Sequence, residues 1–330
     1  MNAYRWLFLP MLLMLISFPV AGQDKGKDKD KKVVKKQAIW TDPAEAPIDY
    51  KIQGEYANDK DKLFVQVVAR GNGKFDVYFL EGGLPGAGWD PKSKKIKIEA
   101  KLDLTKEIAT FSGPAAGGAF EGAIDPKAKM LTLTYKNGKT YTAPRVERKS
   151  PTLGAKAPEG AIILFDGTNT DAWKNGKLVG NLLGVPADSK QSFTNFKLHV
   201  EFRTPFMPNA GGQGRGNSGV YVCGREVQVL DSFGLKGDRG ECGGLYGQRD
   251  CDVNMCLPPL VWQTFDIEHR PGKLDPDTKK QGSPTVTVRH NGIIIHENVE
   301  LKGGASKGPI HLQNHGNPVV YRNIWVVELK

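Results

Sequence analysis

Cysteine and histidine are scarce in this sequence, and neither occurs before position 199. The 330 residues include four Cys, all between positions 223 and 256, and six His, all after position 198. The preceding part of the chain therefore has no thiol or imidazole group for catalysis or metal binding. The four Cys contain no C-x-x-C pair, which argues against a zinc site of the usual ribbon type.

Long apolar runs are also missing. The most apolar stretch, "WLFLPMLLMLISFPV" at residues 6–20, has 15 residues and two prolines, and a helix needs ~20 residues to span a bilayer. Arg5 precedes this stretch, and the small residues Ala21 and Gly22 follow it, as in a cleavable export sequence. We therefore expect a signal peptide at residues 1–22, no membrane span, and an exported protein, periplasmic or extracellular.

Export bears on the cysteines, because disulfides form and persist in oxidising compartments. We expect at least one disulfide within the loop at residues 234–258. Four cysteines can pair in several ways, and the sequence does not choose among them.

A run of mixed charge follows the predicted signal peptide. The segment "DKGKDKDKKVVKK" contains seven Lys and three Asp and almost nothing to bury, so it cannot offset the entropy that a chain loses on folding. We interpret residues 23–39 as a disordered tether. The formal net charge of +10 arises partly from this run. Because the rest of the chain is nearly balanced in charge, we expect no nucleic-acid function.

The remaining chain is long enough for two domains, at the usual ~100 to 200 residues each. A candidate boundary is "APRVERKSPTLGAKAPEG" at residues 143–160, which combines three prolines with mixed charge and no periodicity. We therefore predict one domain at residues 40–142 and a second at residues 161–330, joined by this linker.

Short alternating segments without a long helical stripe predict an all-β fold. The segment "KMLTLTYKNGKTYTA" predicts a hairpin with a type I′ turn at Asn137 and Gly138, and Asn291 with Gly292 marks a second tight hairpin. In "FKLHVEFRT", apolar and polar residues alternate, as in a strand with one buried face. We expect an antiparallel sandwich or barrel in the second domain and a smaller β-rich domain of unknown role before it.

The segment "REVQVLD" at residues 225–231 is the first candidate for chemistry. Alternation places Glu226 and Gln228 on one side of a strand and two valines on the other. A β-bulge near Leu230 would bring Asp231 onto the same side. These three side chains would form an acid/base strip suited to sugar chemistry, although a solvent-facing polar strand is the alternative.

A second candidate group lies in "GPIHLQNHGNPVVYRNIWVVEL". Gln313, His315 and Arg322 surround a turn, and His311 shares the alternation of Gln313. Histidine suits proton transfer near neutral pH, but a loop histidine bonded to backbone is the competing interpretation. The planar fork of Arg322 either faces a site or anchors a buried carboxylate.

Two further residues stand near these segments. Asn217 enters a strand through a turn, and Tyr246 could stack on a sugar ring or donate its hydroxyl; a turn role and a core role are equally open for them. We predict surface positions and no role for four other histidines, His199, His269, His290 and His296.

Several segments in order resemble the 3-keto-disaccharide hydrolase domain family over residues 160–330. They are "IILFDGTNTDAWK", "NFKLHVEFRT", "NSGVYV", "REVQVLD", "GGLYG", "WQTFDIEHR" and "GPIHLQNHGNPVVYRNIWVVEL". The resemblance implies a concanavalin A-like jelly-roll sandwich whose concave face holds a sugar. It also implies exported bacterial enzymes that cleave glycosides oxidised at C3. Asn314 and Gln263 depart from the family pattern, in which Asp and Asn are usual.

The resemblance places Glu226, Gln228 and Asp231 on the family's glutamate, glutamine and aspartate strand, and Gln313, His315 and Arg322 in its near-terminal motif. A ketone at C3 acidifies the C2 proton, so a base can drive elimination of the group on C1. Glu226 or His315 would remove this proton, and Arg322 or a bound cation would stabilise the enolate. Asp231 and Gln228 would orient the sugar or a metal.

Cofactors and rival functions stay open at this stage. The Glu, Asp and His content is compatible with a divalent cation, but no spacing demands one. A carbohydrate-binding module would use the same face without turnover, and a conventional glucanase would cleave unoxidised glycans through Glu226 and Asp231. Each alternative has a carbohydrate as its ligand, and the oligomeric state is open.

Overall fold

The computed structural model describes residues 38–114 and 118–330. The predicted signal peptide and nearly all of the predicted tether lie outside the described residues. Among the described residues, no helix is both long enough and apolar enough to cross a membrane.

The first part of the chain is a closed antiparallel barrel with strand order β1-β10-β9-β8-β7-β6-β3-β2. A short helix, α1 (Ile48–Ile52), precedes it, and a two-stranded ribbon, β4 with β5, is inserted in it. The strands are β1 (Gly54–Asn58), β2 (Leu63–Ala69), β3 (Lys74–Leu80), β4 (Leu84–Pro85), β5 (Gly88–Trp89), β6 (Lys95–Asp103), β7 (Ile108–Gly113), β8 (Phe120–Asp125), β9 (Met130–Tyr135) and β10 (Thr140–Val146).

The second part is a sandwich of two antiparallel sheets. The large sheet has the order β13-β14-β23-β16-β19-β20-β21, with β11 also paired to β23, and the small sheet has the order β12-β15-β22-β17-β18. A single 3-10 turn, η1 (Gly212–Gly214), interrupts the strands. The strands are β11 (Ile162–Phe165), β12 (Trp173–Lys174), β13 (Lys177–Val179), β14 (Leu182–Gly184), β15 (Ala187–Phe193), β16 (Phe196–Arg203), β17 (Ser218–Val222), β18 (Arg225–Val229), β19 (Gln263–Arg270), β20 (Thr285–His290), β21 (Ile293–Glu300), β22 (Gly308–Leu312) and β23 (Val320–Glu328).

Alternating apolar residues close the sandwich. In β16, Leu198, Val200 and Phe202 point into the core between the sheets, where strands of the small sheet contribute valines and leucines. Burial of such side chains is the main driving force for folding. The prediction of an all-β fold, a sandwich preceded by a smaller β-rich part, is confirmed.

The prediction that four histidines lie on the surface is wrong. His199, His269, His290 and His296 are all fully buried. Residues 150–155 cover the outer face of the large sheet, where the Gly154 backbone N–H donates to Glu201 at 2.6 Å. For His199, a polar strand face that another segment covers has the same sequence pattern as one that faces water, so alternation alone could not distinguish them. His269 and His290 instead share the alternation of the buried Ile267 and Val288, and their rings pack against core phenylalanines.

The two predicted hairpins differ in their turns. Asn291 and Gly292 both have positive φ, 50° and 83°, as a type I′ turn requires. At the other hairpin only Gly138 is left-handed, with φ 81°, and the Asn137 side chain accepts a hydrogen bond from the Lys139 backbone N–H at 3.0 Å. The type I′ prediction for that hairpin is wrong, because its longer loop needs one left-handed residue rather than two.

Barrel and sandwich belong to one compact unit, residues 37–330. Phe206 of the sandwich is buried in the barrel core, and Val68 of the barrel packs into the sandwich core. Lys95 of the barrel donates to the Gly234 carbonyl at 2.5 Å. The loop that follows β18 is therefore held partly by the barrel.

Candidate active site

Strand β18 presents the polar strip that its sequence predicts. Val227 and Val229 are buried in the core between the sheets. Glu226 and Gln228 alternate with them and lie on the outer face of the small sheet. That face also carries side chains from the neighbouring strands β17, β22 and β15.

Tyr221 on β17 lies directly across from Glu226. Its hydroxyl donates to Glu226 Oε2 at 2.8 Å and accepts from Gln313 Nε2 at 3.3 Å. Tyr221 thus joins two residues that lie in different sequence motifs. Sequence reasoning missed it, although its position among the valines of "SGVYV" gives it the right alternation.

The carboxylate of Glu226 occupies space that only glycine leaves open. A Cβ placed on Gly219 would lie 2.2 Å from Glu226 Oε1, well inside van der Waals contact. Gly219 sits opposite Gln228 in the ladder between β17 and β18. The glycine therefore fixes where the carboxylate can be.

Burial raises the pKa of Glu226 above its usual value of 4.5. The hydrogen bond from Tyr221 and positive charge on His315 and His311 oppose this rise without cancelling it. A carboxylate with a raised pKa is a better proton acceptor than an exposed one, and such shifts are common at catalytic sites.

His311 and Asp188 form a second pair on the same face. They are cross-strand partners on β22 and β15, and His311 Nδ1 lies 2.7 Å from Asp188 Oδ1. The His311 ring contacts Tyr221 edge to face, with 5.2 Å between ring centres. A carboxylate at Nδ1 fixes the orientation and the tautomer of a histidine and leaves Nε2 available for proton transfer. Asp188 carries no sequence motif that could have identified it.

Gln228 and Asn217 belong to an amide cluster beside this strip. Gln213 Oε1 accepts from Gln228 Nε2 at 3.0 Å and from Asn217 Nδ2 at 2.9 Å. The Gln213 side chain also donates to the Gly240 carbonyl at 2.7 Å. The cluster ties the loop after β18 to the segment that precedes β17.

Tyr246 and His315 lie at the edge of the strip. The Tyr246 backbone N–H donates to the Glu226 carbonyl at 3.1 Å, and its side chain is 47% exposed. His315 is exposed in the loop after β22. Both are accessible to a ligand that rests on this face.

Asp231 is held in a buried ion pair. Its Oδ2 lies 2.7 Å from Arg215 Nε, and both side chains are nearly inaccessible. Arg215 also donates to the Ala69 carbonyl of the barrel at 3.1 Å. The Asp231 carboxylate is therefore engaged in joining sandwich and barrel.

Arg322 lies on the opposite face of the sandwich from Glu226. Its Nε donates to Oε2 of the buried Glu201 at 2.7 Å, on the outer face of the large sheet. The hydrophobic core separates that face from the small sheet. Of the two interpretations from sequence, the structure shows the one in which Arg322 anchors a buried carboxylate.

The predicted disulfide is not present in the structure, in which all four cysteines are free thiols. Cys242 and Cys256 are buried and Cys251 is half-buried in the loop that was expected to hold a bridge. Within residues 38–114 and 118–330, no group of three or more His, Cys, Asp or Glu side chains is placed to hold a metal ion.

A carboxylate, a tyrosine and a carboxylate-bound histidine thus lie together on the outer face of the small sheet. Residues 160–327, about half of the chain, match the model of the family described as 3-keto-alpha-glucoside-1,2-lyase-like domain. The chain belongs to this family, as its ordered motifs predicted. It is accordingly a glycoside-acting enzyme.

Solved structures of three candidate glycosyl hydrolases from Parabacteroides distasonis are similar to this chain. The first is 32% identical, covers 52% of this chain and 85% of its own, and has a TM-score of 0.48. The second and third are 17% and 20% identical, each covers 52% of this chain, and their own coverage is 95% and 100%, both with a TM-score of 0.40. Comparison with curated proteins gave no match.

Proposed function

We propose that this enzyme cleaves glycosides whose sugar carries a ketone at C3, by removal of the C2 proton and elimination of the group on C1. The observation that carries the proposal is the pairing of Glu226 with Tyr221, and of His311 with Asp188, on one accessible face. Such a face offers one proton acceptor and one proton donor to the same substrate. Export, predicted from residues 1–22, is part of the proposal.

Glu226 would act as the base. It takes the proton from C2, and the electrons of the C–H bond pass into the enolate of the C3 ketone. When the ketone re-forms, a double bond forms between C1 and C2, the bond from C1 to the glycosidic oxygen breaks, and this oxygen takes up a proton. Water then adds across the double bond, its oxygen to C1 and a proton to C2, and gives the free 3-keto sugar.

His311 would supply the proton to the leaving oxygen through Nε2, because Asp188 holds the other ring nitrogen. The second N–H of the Gln313 amide would donate to the enolate oxygen, because the single O–H of Tyr221 is directed to Glu226. Tyr246 would stack on the sugar, and Gln228 with Asn217 would hold the loops that orient it. Arg322, which lies across the core, takes no part in these steps.

The test compares the release of products from 3-keto disaccharides and from their unoxidised parents by the purified full chain. We expect cleavage of the keto sugars only. Cleavage of the unoxidised parents at a comparable rate would instead indicate a conventional glucanase, and binding without cleavage would indicate a carbohydrate-binding module. A parallel reaction with a chelator tests for a metal requirement.

Elimination and direct hydrolysis differ at C2. In D2O, elimination followed by addition of water introduces deuterium at C2 of the released 3-keto sugar, whereas direct displacement at C1 does not. Mass spectrometry of the product at early times, corrected for exchange without enzyme, separates the two. Product without deuterium would contradict the proposed role of Glu226 as the C2 base.

Replacing Gly219 by alanine should displace the Glu226 carboxylate without unfolding the sheet, since the added Cβ meets only a flexible side chain. A misplacement of this kind can lower kcat/KM for a 3-keto disaccharide by about 100-fold. Gly211→Ala is the matched control, because a Cβ there meets no atom within 4 Å. Equal rates in the two variants would show that the position of Glu226 is unimportant.

Removal of the Tyr221 hydroxyl should move the pH profile. The hydrogen bond from Tyr221 lowers the pKa of Glu226, so Tyr221→Phe raises this pKa further. A base must be deprotonated to act, and the acidic limb of the profile of kcat/KM should therefore shift to higher pH. Tyr141→Phe, in the barrel, is the control. If the acidic limb does not shift, Tyr221 has no influence on the pKa of the base that limits the rate.

A further inference from the structure

Two guanidinium groups lie beside one indole ring on the outer face of the large sheet. The guanidinium carbon of Arg322 is 4.1 Å from the centre of the Trp262 ring, and that of Arg203 is 5.0 Å away. The two arginines come from adjacent strands, β16 and β23. Trp262 thus orients two cations toward the same region of surface.

Within residues 38–114 and 118–330, Arg322 forms an ion pair and Arg203 does not. Glu201 accepts from Arg322 with Oε2, and its Oε1 accepts from the Asn323 side chain at 2.9 Å and from the Gly154 backbone N–H at 2.6 Å. Burial raises the pKa of Glu201, but the nearby His199 and hydrogen bonds from Asn323, Gly154 and Arg322 lower it to about 2. Glu201 is therefore ionised, and its acceptor positions are in use.

Arg203 is half-buried and makes no hydrogen bond or ion pair with any residue in the two described ranges. Burial and the nearby charge of Arg322 both lower its pKa. The charge of Asp42 opposes this, but Asp42, which lies within the described residues, forms no ion pair with Arg203. A half-buried cation beside a like charge is unfavourable unless an anion lies close to it.

An open groove gives access to these groups. Arg203, Arg322 and Trp262 line it together with Lys156, Asn181 and Asp166. Asp166 accepts two hydrogen bonds from Thr168, so its charge is partly satisfied within its own turn. Glu201 also lines the groove but is paired with Arg322, so three cations against two carboxylates leave a net positive charge that attracts anions.

We propose that this groove binds the oxyanion of an acidic saccharide, either a carboxylate or a sulfate ester. The groove is separate from the face that carries Glu226, Tyr221 and His311. Arg203 would bind the anion through two parallel N–H donors of its guanidinium group. Arg322 would add those of its N–H donors that Glu201 does not use. That the ligand is a saccharide rests on membership of a glycoside-acting family; the preference for an anion rests on the arginines alone.

The test titrates glucuronate, glucose 6-sulfate and glucose into the purified full chain at low ionic strength and follows heat and tryptophan fluorescence. We expect at least one acidic sugar to bind, glucose to bind much more weakly, and Trp262→Phe to remove most of the fluorescence change. Arg203→Gln should weaken binding by about tenfold or more, as expected for loss of a charged hydrogen-bonding partner.

Arg289→Gln is the matched control, because it removes one exposed charge from β20 of the same sheet. Arg203→Lys keeps the charge but loses the fork, and it should bind with intermediate affinity if Arg203→Gln folds poorly. Absence of binding by both acidic sugars, or equal affinities in Arg203→Gln and the wild type, would overturn the proposal. Binding at this site needs no turnover, so the result is independent of the proposed cleavage.

Discussion

Glu226→Gln should abolish cleavage of 3-keto disaccharides while leaving them bound. The amide keeps the shape of the side chain and its contact with Tyr221, but it cannot accept the C2 proton. Loss of a general base lowers kcat by roughly 100- to 10,000-fold. The measurement is kcat for product release, together with the affinity for the same keto sugar by calorimetry.

Glu297→Gln provides a control for the charge, because Glu297 is exposed on β21 of the other sheet. Its kcat should equal that of the wild type. If Glu226→Gln turned over keto sugars at nearly the normal rate, Glu226 would be excluded from proton transfer. His311, its partner Asp188 and the nearby His315 would then be the remaining candidates for the base.

Asp231→Ala should unfold the protein much more easily and change its chemistry little. The substitution leaves Arg215 charged and unpaired in a position that is almost fully buried. Breaking a buried ion pair in this way costs about 3–5 kcal/mol in the free energy of unfolding. Urea denaturation measures this loss, and kcat measured well below the transition should stay near that of the wild type.

Asp252→Ala removes one partner of an ion pair on the surface, where Arg249 and Asp252 are 36% and 52% exposed. Surface pairs contribute little to stability, so this variant should unfold at nearly the same urea concentration as the wild type. A fully stable Asp231→Ala variant with no activity would instead assign Asp231 to the chemistry, as its place in the family strand implied.

Much of the fold could be predicted from local pattern. Period-two alternation in β16 and β18 placed their apolar faces correctly, and the two positive φ angles at Asn291 and Gly292 follow from the residue types themselves. These features depend on neighbouring residues in the chain. The turn type at Asn137 was predicted wrongly, because a dipeptide does not reveal the length of the loop that contains it.

The site could be predicted only in part. Glu226, Gln228 and Gln313 stand in recognisable segments, and the structure places them on one face. Tyr221 and Asp188 become visible only through the pairing of β17 with β18 and of β15 with β22. Asp188 and His311 are 123 residues apart, and a single sequence carries no record of their pairing. Tyr221 and Glu226 are five residues apart in one hairpin, and the turn that joins β17 to β18 was not recognised from the sequence.

The sequence by itself determined the strand pattern, the family and the face of β18 on which Glu226 lies. Tertiary structure alone decided that Arg322 lies across the core from Glu226, that Asp231 pairs with Arg215, and that Arg203 makes no ion pair with any of the described residues. The physical reason is that alternation assigns a side chain to a face of its strand, whereas sheet order and the segments packed on each face decide what that side chain meets.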